Sequence, residues 1–356
     1  MFKPHIQAMS AYTPPLEGRS TSGCLLLDFN ESTQPPPAFV IDALSHFLAS
    51  GRLQVYPEYA DLAEKIGHYV QLSAKHCLFT NGSDQAIDVL MRLLVNPGDQ
   101  VVLLSPSFAM FEQAAGLEHA DIVEISYCQD FSFPYQEVEA AIATGLPKVV
   151  VLVNPNNPTG TPIERKFLER LIQSWPQTFF IVDEAYYEFH GETVKDMVPA
   201  HRNMAVLRTF SKAFALAALR MGYLLAHEDV VEQLLKVRGP YDVNMLGAVA
   251  AAAALDSPGY MHDYVAEVMN HAKPMLTQYL RQHSIDVYEG RANFLLLRPD
   301  DPDALMAFLK TRGILVRRGR RVASSMVRMS IGTRQDVQRC IAALDEYLSH
   351  HATQEE

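Results

Sequence analysis

A lysine at position 212 lies in a segment suited to chemistry on a carbonyl group. Thr209 and Ser211 precede Lys212 closely, mostly apolar residues follow it, and Arg220 lies further along. Apolar surroundings lower the pKa of a lysine and free its amine to attack a carbonyl carbon. The two hydroxyls and the guanidinium could bind an anion beside that amine. Taken alone, the segment equally fits an amphipathic helix with its charged residues in solvent.

Polar groups that follow two apolar segments are candidate partners of Lys212. Asn157 lies in the turn 154–160, Asp183 ends the next apolar segment, and Tyr186 follows it. A buried carboxylate such as that of Asp183 requires a cation, and a protonated pyridine nitrogen would be one. Asn157 and Tyr186 could then bond to an oxygen on the same ring. Each residue alone also fits a turn or a helix cap, but together with Lys212 they indicate an imine-forming pyridine-phosphate site.

Anion-binding and ring-binding groups are predicted at three further positions. Ser83 and Asp84 open a helix after a strand, where backbone amides and the helix dipole favour an anion. Arg317 and Arg328 lie on or beside short strands and could together bind a carboxylate or a phosphate. Phe108 follows another strand end and could stack on a planar ring, although a core position is the commoner role.

Composition limits the classes of partner. The 356 residues include 41 acidic and 30 basic ones, a net charge of −11, which argues against nucleic acid or an anionic membrane as the main partner. The four cysteines form no C-x-x-C pair, so neither a disulfide framework nor a metal site is expected. Without an apolar leader or membrane segment, we expect a cytoplasmic protein.

The elements that must position these residues alternate between strands and helices. Strands are predicted at 77–80, 100–104, 148–153, 179–182, 204–208 and 222–226. Their largely apolar composition is typical of a mostly parallel sheet that is covered on both faces, which makes the chain an α/β protein. Residues 38–259 are predicted to form a large domain and 260–356 a smaller α+β domain, which residues 1–37 join. Within the latter, a helix over 260–282 is expected to kink at Pro274.

The sequence resembles the fold-type I, pyridoxal-phosphate-dependent aminotransferases of class I/II, and among them the histidinol-phosphate aminotransferase family. The resemblance covers nearly the whole chain. Its motifs are N-P-N-N-P-T-G from Asn154, D-E-A-Y from Asp183, T-F-S-K-A-F-x-L-A-x-L-R from Thr209 and V-R-M-S-I-G-T-R from Val327. The family's N-E-N-P turn, however, reads N-E-S-T-Q-P from Asn30, which weakens the implied identity of the substrate more than it weakens transamination.

The resemblance implies a role for each candidate residue. Lys212 would bond covalently to pyridoxal 5′-phosphate, Asp183 would pair with its pyridine nitrogen, and both would be catalytic together with Tyr186. The other implied cofactor contacts are ring stacking by Phe108, bonds to the ring oxygen from Asn157 and Tyr186, and phosphate binding by Ser83, Asp84, Thr209, Ser211 and Arg220. The implied substrate-binding residues are Tyr12, Asn157, Arg317 and Arg328. Tyr56 would reach the phosphate from the partner subunit of a homodimer.

The implied reaction is amino transfer from histidinol phosphate to 2-oxoglutarate. Two enzymatic alternatives stay open: an aminotransferase for aromatic or other amino acids, and a threonine-phosphate decarboxylase on the same scaffold. A regulator that binds the cofactor is the non-enzymatic alternative. We expect 356 residues to leave no room for the DNA-binding domain that such a regulator would carry.

Overall fold

The computed structural model describes residues 1–11, 13, 19, 23–319 and 323–352. These residues contain thirteen strands. The strands are β1 (Leu25–Leu26), β2 (Cys77–Thr80), β3 (Gln100–Ser105), β4 (Asp121–Ser126), β5 (Val149–Val153), β6 (Phe179–Asp183), β7 (Met204–Thr209), β8 (Gly222–Ala226), β9 (Asp286–Tyr288), β10 (Phe294–Arg298), β11 (Ile314–Leu315), β12 (Arg317–Arg318) and β13 (Val327–Ser330). The six predicted strands between 77 and 226 are all confirmed, with ends that differ by a residue or less.

The central sheet has seven strands in the order β2-β8-β7-β6-β5-β3-β4. Strand β8 runs antiparallel to both of its neighbours, and the pairs from β7 to β4 are parallel. Residues of β5 alternate between two cores, because Val150 and Leu152 pack on one face of the sheet while Val149 and Val151 pack on the other. Burial of both faces explains why these strands are continuously apolar. The predicted α/β class is confirmed.

The described helices pack on both faces of this sheet, on the C-terminal strands β9, β11 and β12, or on one another. They are α1 (Pro4–Ala8), α2 (Ala38–Ala49), α3 (Leu62–Val70), α4 (Ser83–Leu94), α5 (Ala109–Leu117), α6 (Tyr135–Gly145), α7 (Arg165–Ser174), α8 (Tyr187–His190), α9 (Glu228–Val237), α10 (Met245–Asp256), α11 (Gly259–Ala266), α12 (Lys273–Gln282), α13 (Pro302–Thr311) and α14 (Arg334–Ala352). In the part of the chain that the structure describes, none of them combines the length and apolarity needed to cross a membrane.

The predicted helix over 260–282 is interrupted before its proline. A π-helical turn, Glu267–Ala272, separates α11 from α12, and Pro274 occupies the first turn of α12. Proline has no N–H to donate to the preceding turn, and the wider π turn lies where that donor is missing.

Two smaller sheets join the ends of the chain. Strands β12, β13, β10 and β9 form an antiparallel sheet of four strands in that order. Strand β1 pairs with β11 in parallel, with Leu25 opposite Ile314. The N-terminal segment is therefore held by the C-terminal part of the chain, and this brings residues 28–30 towards the central sheet.

Candidate active site

The carboxyl ends of the parallel strands place most of the predicted site residues at one edge of the central sheet. Strands β3, β5, β6 and β7 end there, followed by the loops that carry Phe108, Asn157, Tyr186 and Lys212. Ligands in open α/β sheets bind beyond this edge. Strand β8 begins at the same edge because Gly222 pairs with Thr209 in the antiparallel register.

Lys212 lies in the loop between β7 and β8 and in no helix, which excludes the interpretation as the wet face of an amphipathic helix. Its side chain is half-buried, and Nζ donates a 2.8 Å hydrogen bond to the backbone carbonyl of Phe29. Burial, followed by the nearby charge of Arg328, lowers the pKa of Lys212 to about 8. A lysine that is partly neutral near this pH suits the predicted attack on a carbonyl.

Asp183, at the end of β6, and Tyr186, just after it, are both buried. Asp183 is 3% exposed, and its Oδ1 accepts a 3.1 Å bond from the backbone N–H of Ala185. Burial raises the pKa of Asp183 to about 7. Tyr186 is also buried, and its hydroxyl accepts a 2.9 Å bond from Nδ2 of Asn30. Burial raises the pKa of Tyr186 as well, which keeps the phenol protonated.

Arg328 links the C-terminal sheet to the loop of Asn157. Arg328 is 6% exposed, and its guanidinium donates to Oδ1 of Asn157 at 2.7 Å and to the carbonyl of Asp28 at 2.6 Å. Arg317 is the cross-strand neighbour of Arg328, and its guanidinium lies 4.8 Å from the centre of the Phe29 ring. Phe108, Asn157, Arg317 and Arg328 all line one cavity. The structure thus brings the two predicted arginines together beside the predicted ring-binding residues.

The predicted anion-binding residues meet at the start of α4. Arg220 donates to Oδ2 of Asp84 at 3.0 Å and to Oγ of Ser211 at 3.4 Å. The neighbouring Gly82 has φ +81°, and a Cβ there would lie 2.7 Å from Nη2 of Arg220. Glycine at 82 therefore allows the guanidinium to approach the first amides of the helix, beginning with that of Ser83. This edge of the sheet combines helix amides, hydroxyls and a guanidinium, as a phosphate requires.

Thr209 supports this anion-binding loop from within. It is 3% exposed, and its Oγ1 accepts a 3.1 Å bond from the backbone N–H of Ser211. The bond fixes the turn that leads to Lys212.

One predicted site residue lies apart from the others within the chain. Tyr56 is 75% exposed on the outer surface, where its ring centre lies 4.6 Å from that of Tyr241. Tyr12 lies outside the described residues.

The structure also reveals site residues that were not predicted from the sequence. Asn30 is 1% exposed and bonds to Tyr186, while Phe29 contributes the carbonyl that accepts from Lys212. Ser330, at the end of β13, bonds to Asn30. The altered N-E-N-P turn was the available signal for Asn30, but the pattern gives no indication that its side chain points inwards.

The donor set fits pyridoxal phosphate. Asp183 is a carboxylate buried at a strand end, where a pyridinium nitrogen would compensate its charge. Beside it lie an amine of lowered pKa at Lys212, oriented polar groups at Asn157 and Tyr186, and the anion-binding loop around Arg220. An aldehyde, a ring oxygen and a phosphate on one ring would each find a complementary group here.

Comparison with known proteins agrees with this chemistry. The family model for aminotransferase class I and II matches residues 22–344. The histidinol-phosphate aminotransferase of Desulfitobacterium hafniense is 34% identical over 97% of this chain and 97% of that protein. The dihydroxyacetone phosphate transaminase of Campylobacter jejuni is 33% identical over 92% of this chain and 91% of that protein.

A solved structure shows the same fold. It is the histidinol-phosphate aminotransferase of Sinorhizobium meliloti in complex with pyridoxal-5′-phosphate, with a TM-score of 0.88 at 23% identity over 97% of this chain and 96% of that one. The chain therefore belongs to the aminotransferase class I and II family and is a pyridoxal-phosphate-dependent aminotransferase of fold type I.

Proposed function

We propose that this aminotransferase moves the amino group of a phosphorylated amine, foremost histidinol phosphate, to 2-oxoglutarate. The observation that carries the proposal is the pairing of Arg317 with buried Arg328 beside the cavity, in a chain whose net charge is −11. Adjacent guanidiniums favour an anionic substrate. Relatives named for histidinol phosphate and for dihydroxyacetone phosphate also support a phosphate monoester.

The proposed roles follow from the contacts. Pyridoxal phosphate, when bound, supplies an electron sink for the charge that develops at the α-carbon of the donor. Nζ of Lys212 takes the proton from that carbon, aided by its lowered pKa. Asp183 would hold the proton on the pyridine nitrogen, while Asn157 and Tyr186 would bind the ring oxygen. Phe108 would cover the ring face.

The remaining proposed roles concern anions. The cofactor phosphate is held by Ser83, Asp84, Thr209, Ser211 and Arg220, of which Asp84 acts by orienting Arg220 through their 3.0 Å ion pair. The substrate anion is held by Arg317 and Arg328, with Tyr12 as a further contact.

The test is to supply amino donors one at a time. We expect histidinol phosphate to convert the visible absorbance of the lysine-bound cofactor to that of its amino form, and 2-oxoglutarate to reverse the change with release of glutamate. Histidinol without its phosphate is the matched control and should react at least about 100-fold less efficiently, because the arginine pair then has no anion to bind. Conversion by aromatic amino acids alone would overturn the proposed substrate.

Dihydroxyacetone phosphate is the second candidate substrate. The similarity to the Campylobacter jejuni transaminase spans nearly the full length of both chains, and this ketone carries the same phosphate monoester. With glutamate as donor, formation of the aminated product at a higher kcat/KM than the reaction with histidinol phosphate would favour this candidate. Release of CO2 from threonine phosphate would instead indicate the decarboxylase.

We also propose that two copies of the chain form a homodimer in which Tyr56 reaches the partner's cofactor phosphate. Leu53, Val55 and Tyr56 are 64%, 52% and 75% exposed, which is a costly arrangement for a monomer. Light scattering should give twice the chain mass. Tyr56→Phe should keep the dimer but bind the cofactor more weakly, and a monomeric protein with full cofactor affinity would contradict the proposal.

We propose two domains. Residues 38–259 form the large one, and residues 260–356 together with residues 1–37 form the small one. Pairing of β1 with β11 attaches the N-terminal segment to the C-terminal part of the chain. Limited proteolysis should cut near residue 259 before it cuts within either part.

We propose a cytoplasmic location as well. Cys24, Cys77, Cys128 and Cys340 are all free thiols, as is usual in a reducing compartment. Cell fractionation with detection of the protein tests this location.

A further inference from the structure

We propose that Asn30 and Ser330 form a positioning pair that fixes Tyr186 as a hydrogen-bond donor to the cofactor's ring oxygen, and so sets the pH at which the bound cofactor loses its proton. The inference rests on the proposed function of the site, in which Tyr186 bonds to that oxygen. Asn30 contacts Tyr186, and Ser330 contacts Asn30. Neither Asn30 nor Ser330 has a proposed role in the reaction itself.

The pair is buried and closed by reciprocal bonds. Asn30 is 1% exposed and Ser330 is 1% exposed. The backbone N–H of Asn30 donates to Oγ of Ser330 at 2.9 Å, and that hydroxyl donates to Oδ1 of Asn30, also at 2.9 Å. The carbonyl of Asn30 accepts a further 3.1 Å bond from Nδ2 of Asn293. The residue is therefore held on three sides.

These bonds determine which way the Asn30 amide points. A serine hydroxyl has one proton, and in this arrangement the proton goes to Oδ1 of Asn30. The reverse orientation of the amide would direct two N–H groups at the Ser330 oxygen and remove the acceptor of its proton. Nδ2 of Asn30 consequently faces Tyr186, at 2.9 Å from the phenolic oxygen.

An amide nitrogen donates hydrogen bonds and does not accept them. The hydroxyl of Tyr186 must therefore accept from Asn30, so its own proton is directed elsewhere. The charged groups that face this hydroxyl are Arg328, Arg317 and Asp183, from β13, β12 and β6. Neither arginine accepts a proton, and among the described residues this hydroxyl makes no hydrogen bond to Asp183, whose Oδ1 accepts from the N–H of Ala185. The ring oxygen of a bound cofactor is therefore the fitting acceptor.

Asn157, the second proposed donor to that oxygen, is oriented by a separate contact. Its Oδ1 accepts a 2.7 Å bond from Arg328, which directs its amide nitrogen away from the guanidinium. The two donors are thus fixed independently, Asn157 by Arg328 and Tyr186 by the pair of Asn30 and Ser330. Loss of one pair should leave the other donor in place.

The experiment is a pH titration of the visible absorbance of the lysine-bound cofactor in Asn30→Gly. Glycine retains the left-handed backbone, φ +58°, that position 30 requires, and it keeps the N–H that bonds to Ser330. A ring oxygen with a weakened donor keeps more negative charge, and the bound cofactor then holds its proton to higher pH. We expect the midpoint to rise by about 0.5 to 1 pH unit. Ser330→Ala should shift it in the same direction by less, because the amide is then only partly oriented.

Repeating the titration in a variant that lacks the Tyr186 hydroxyl separates an effect of Asn30 through Tyr186 from a general change in the site. In Tyr186→Phe, we expect Asn30→Gly to move the midpoint by less than about 0.2 pH unit, since the group through which it acts is missing. Thr144→Ala, which removes an exposed hydroxyl on α6, is the matched control and should titrate as the wild type.

An unchanged midpoint in Asn30→Gly, or an equal shift with and without the Tyr186 hydroxyl, would overturn the inference. Failure of the proposed function is distinguishable, because the cofactor absorbance would then be missing or would not respond to any amino donor.

Discussion

The amine of Lys212 donates to the backbone carbonyl of Phe29 across 2.8 Å, which links the central sheet to the N-terminal segment. The carbonyls on either side are engaged in the same way, that of Asp28 by Arg328 and that of Asn30 by Asn293. Three consecutive carbonyls thus hold residues 28–30 over the site. Since the amine of Lys212 hydrogen-bonds to a carbonyl and not to a carboxylate, its surroundings stabilise the charged form of the amine only weakly.

This environment predicts the pH dependence of cofactor attachment. The pKa of Lys212 is lowered to about 8, and only the neutral amine attacks the aldehyde of pyridoxal phosphate. The rate at which the cofactor-free protein gains visible absorbance should therefore rise with pH and level off above about pH 8. An ordinary lysine would still be gaining reactivity at pH 10.

The control is Lys273, which is also buried but donates to the carbonyls of Gly290 and Ala292 away from the proposed site. Borohydride trapping followed by peptide mapping should label Lys212 alone, and Lys212→Ala should abolish the absorbance. A rate that continues to climb to pH 10 would contradict the lowered pKa.

Asp183→Asn should affect stability and cofactor binding in opposite directions. Burial raises the pKa of Asp183 to about 7 in the folded, cofactor-free protein, whereas the unfolded chain releases this proton near pH 4. The stability that the protonated carboxyl contributes is present below about pH 4 and is lost as the pH rises to about 7. Cofactor-free Asp183→Asn should thus equal the wild type near pH 4 and exceed its free energy of unfolding by up to about 4 kcal/mol above pH 7.

The same substitution should weaken pyridoxal phosphate binding, since an amide cannot compensate a pyridinium charge. Urea denaturation between pH 4 and pH 8 measures the first effect, and cofactor titration at pH 8 measures the second. A stability difference that is constant with pH would show that the pKa of Asp183 is not raised.

The apolar pattern of the sequence was sufficient to predict the strands that are buried on both faces of the sheet. Strand β5 reads as an unbroken apolar run, and so it could be placed without further information. Strand β4 was not predicted, because it lies at the edge of the sheet with mostly exposed or partly exposed residues, and its mixed sequence D-I-V-E-I-S neither alternates strictly nor forms an apolar run. Pro274 marked an interruption of the helix predicted over 260–282, but the pattern did not indicate that a π turn would precede it.

The candidate site was predictable where its groups follow strand ends. Asp183 ends strand β6, and Asn157 and Lys212 follow the ends of β5 and β7 within a few residues, so their convergence follows from the parallel order of the sheet. Asn30 could not be placed in this way, because it is 300 residues from Ser330 in the sequence and its position depends on the pairing of β1 with β11. Contacts between distant segments leave no local pattern.

The ion pair of Arg208 and Glu184 is predicted to stabilise the fold without taking part in the reaction. The two side chains are 1% and 0% exposed, are joined at 2.7 Å and 3.0 Å, and both bond to Thr193. Glu184→Gln would deprive a buried guanidinium of its hydrogen-bonded countercharge, which should lower the free energy of unfolding by about 3 kcal/mol. Urea denaturation measures the loss.

The exposed pair of Arg92 and Asp88, joined at 3.4 Å, is the matched control. Asp88→Asn should change the free energy of unfolding by less than about 1 kcal/mol. At temperatures where Glu184→Gln remains folded, the pH titration of the visible absorbance of its lysine-bound cofactor should match that of the wild type. A large shift of that titration would instead place Glu184 in the reaction.

Gly82 and Gly98 allow the anion-binding loop to be tested with a built-in control. Their φ angles are both positive, +81° and +84°, so alanine at either position strains the backbone, and more so at Gly82, whose ψ of 168° lies in a region that glycine alone populates readily. A Cβ at 82 would lie 2.7 Å from Nη2 of Arg220, whereas a Cβ at 98 would have nothing within 4 Å. Gly82→Ala should therefore displace the guanidinium and weaken pyridoxal phosphate binding at least about tenfold, while Gly98→Ala should lose stability only. Equal cofactor affinities in the two variants would show that Arg220 does not bind the phosphate.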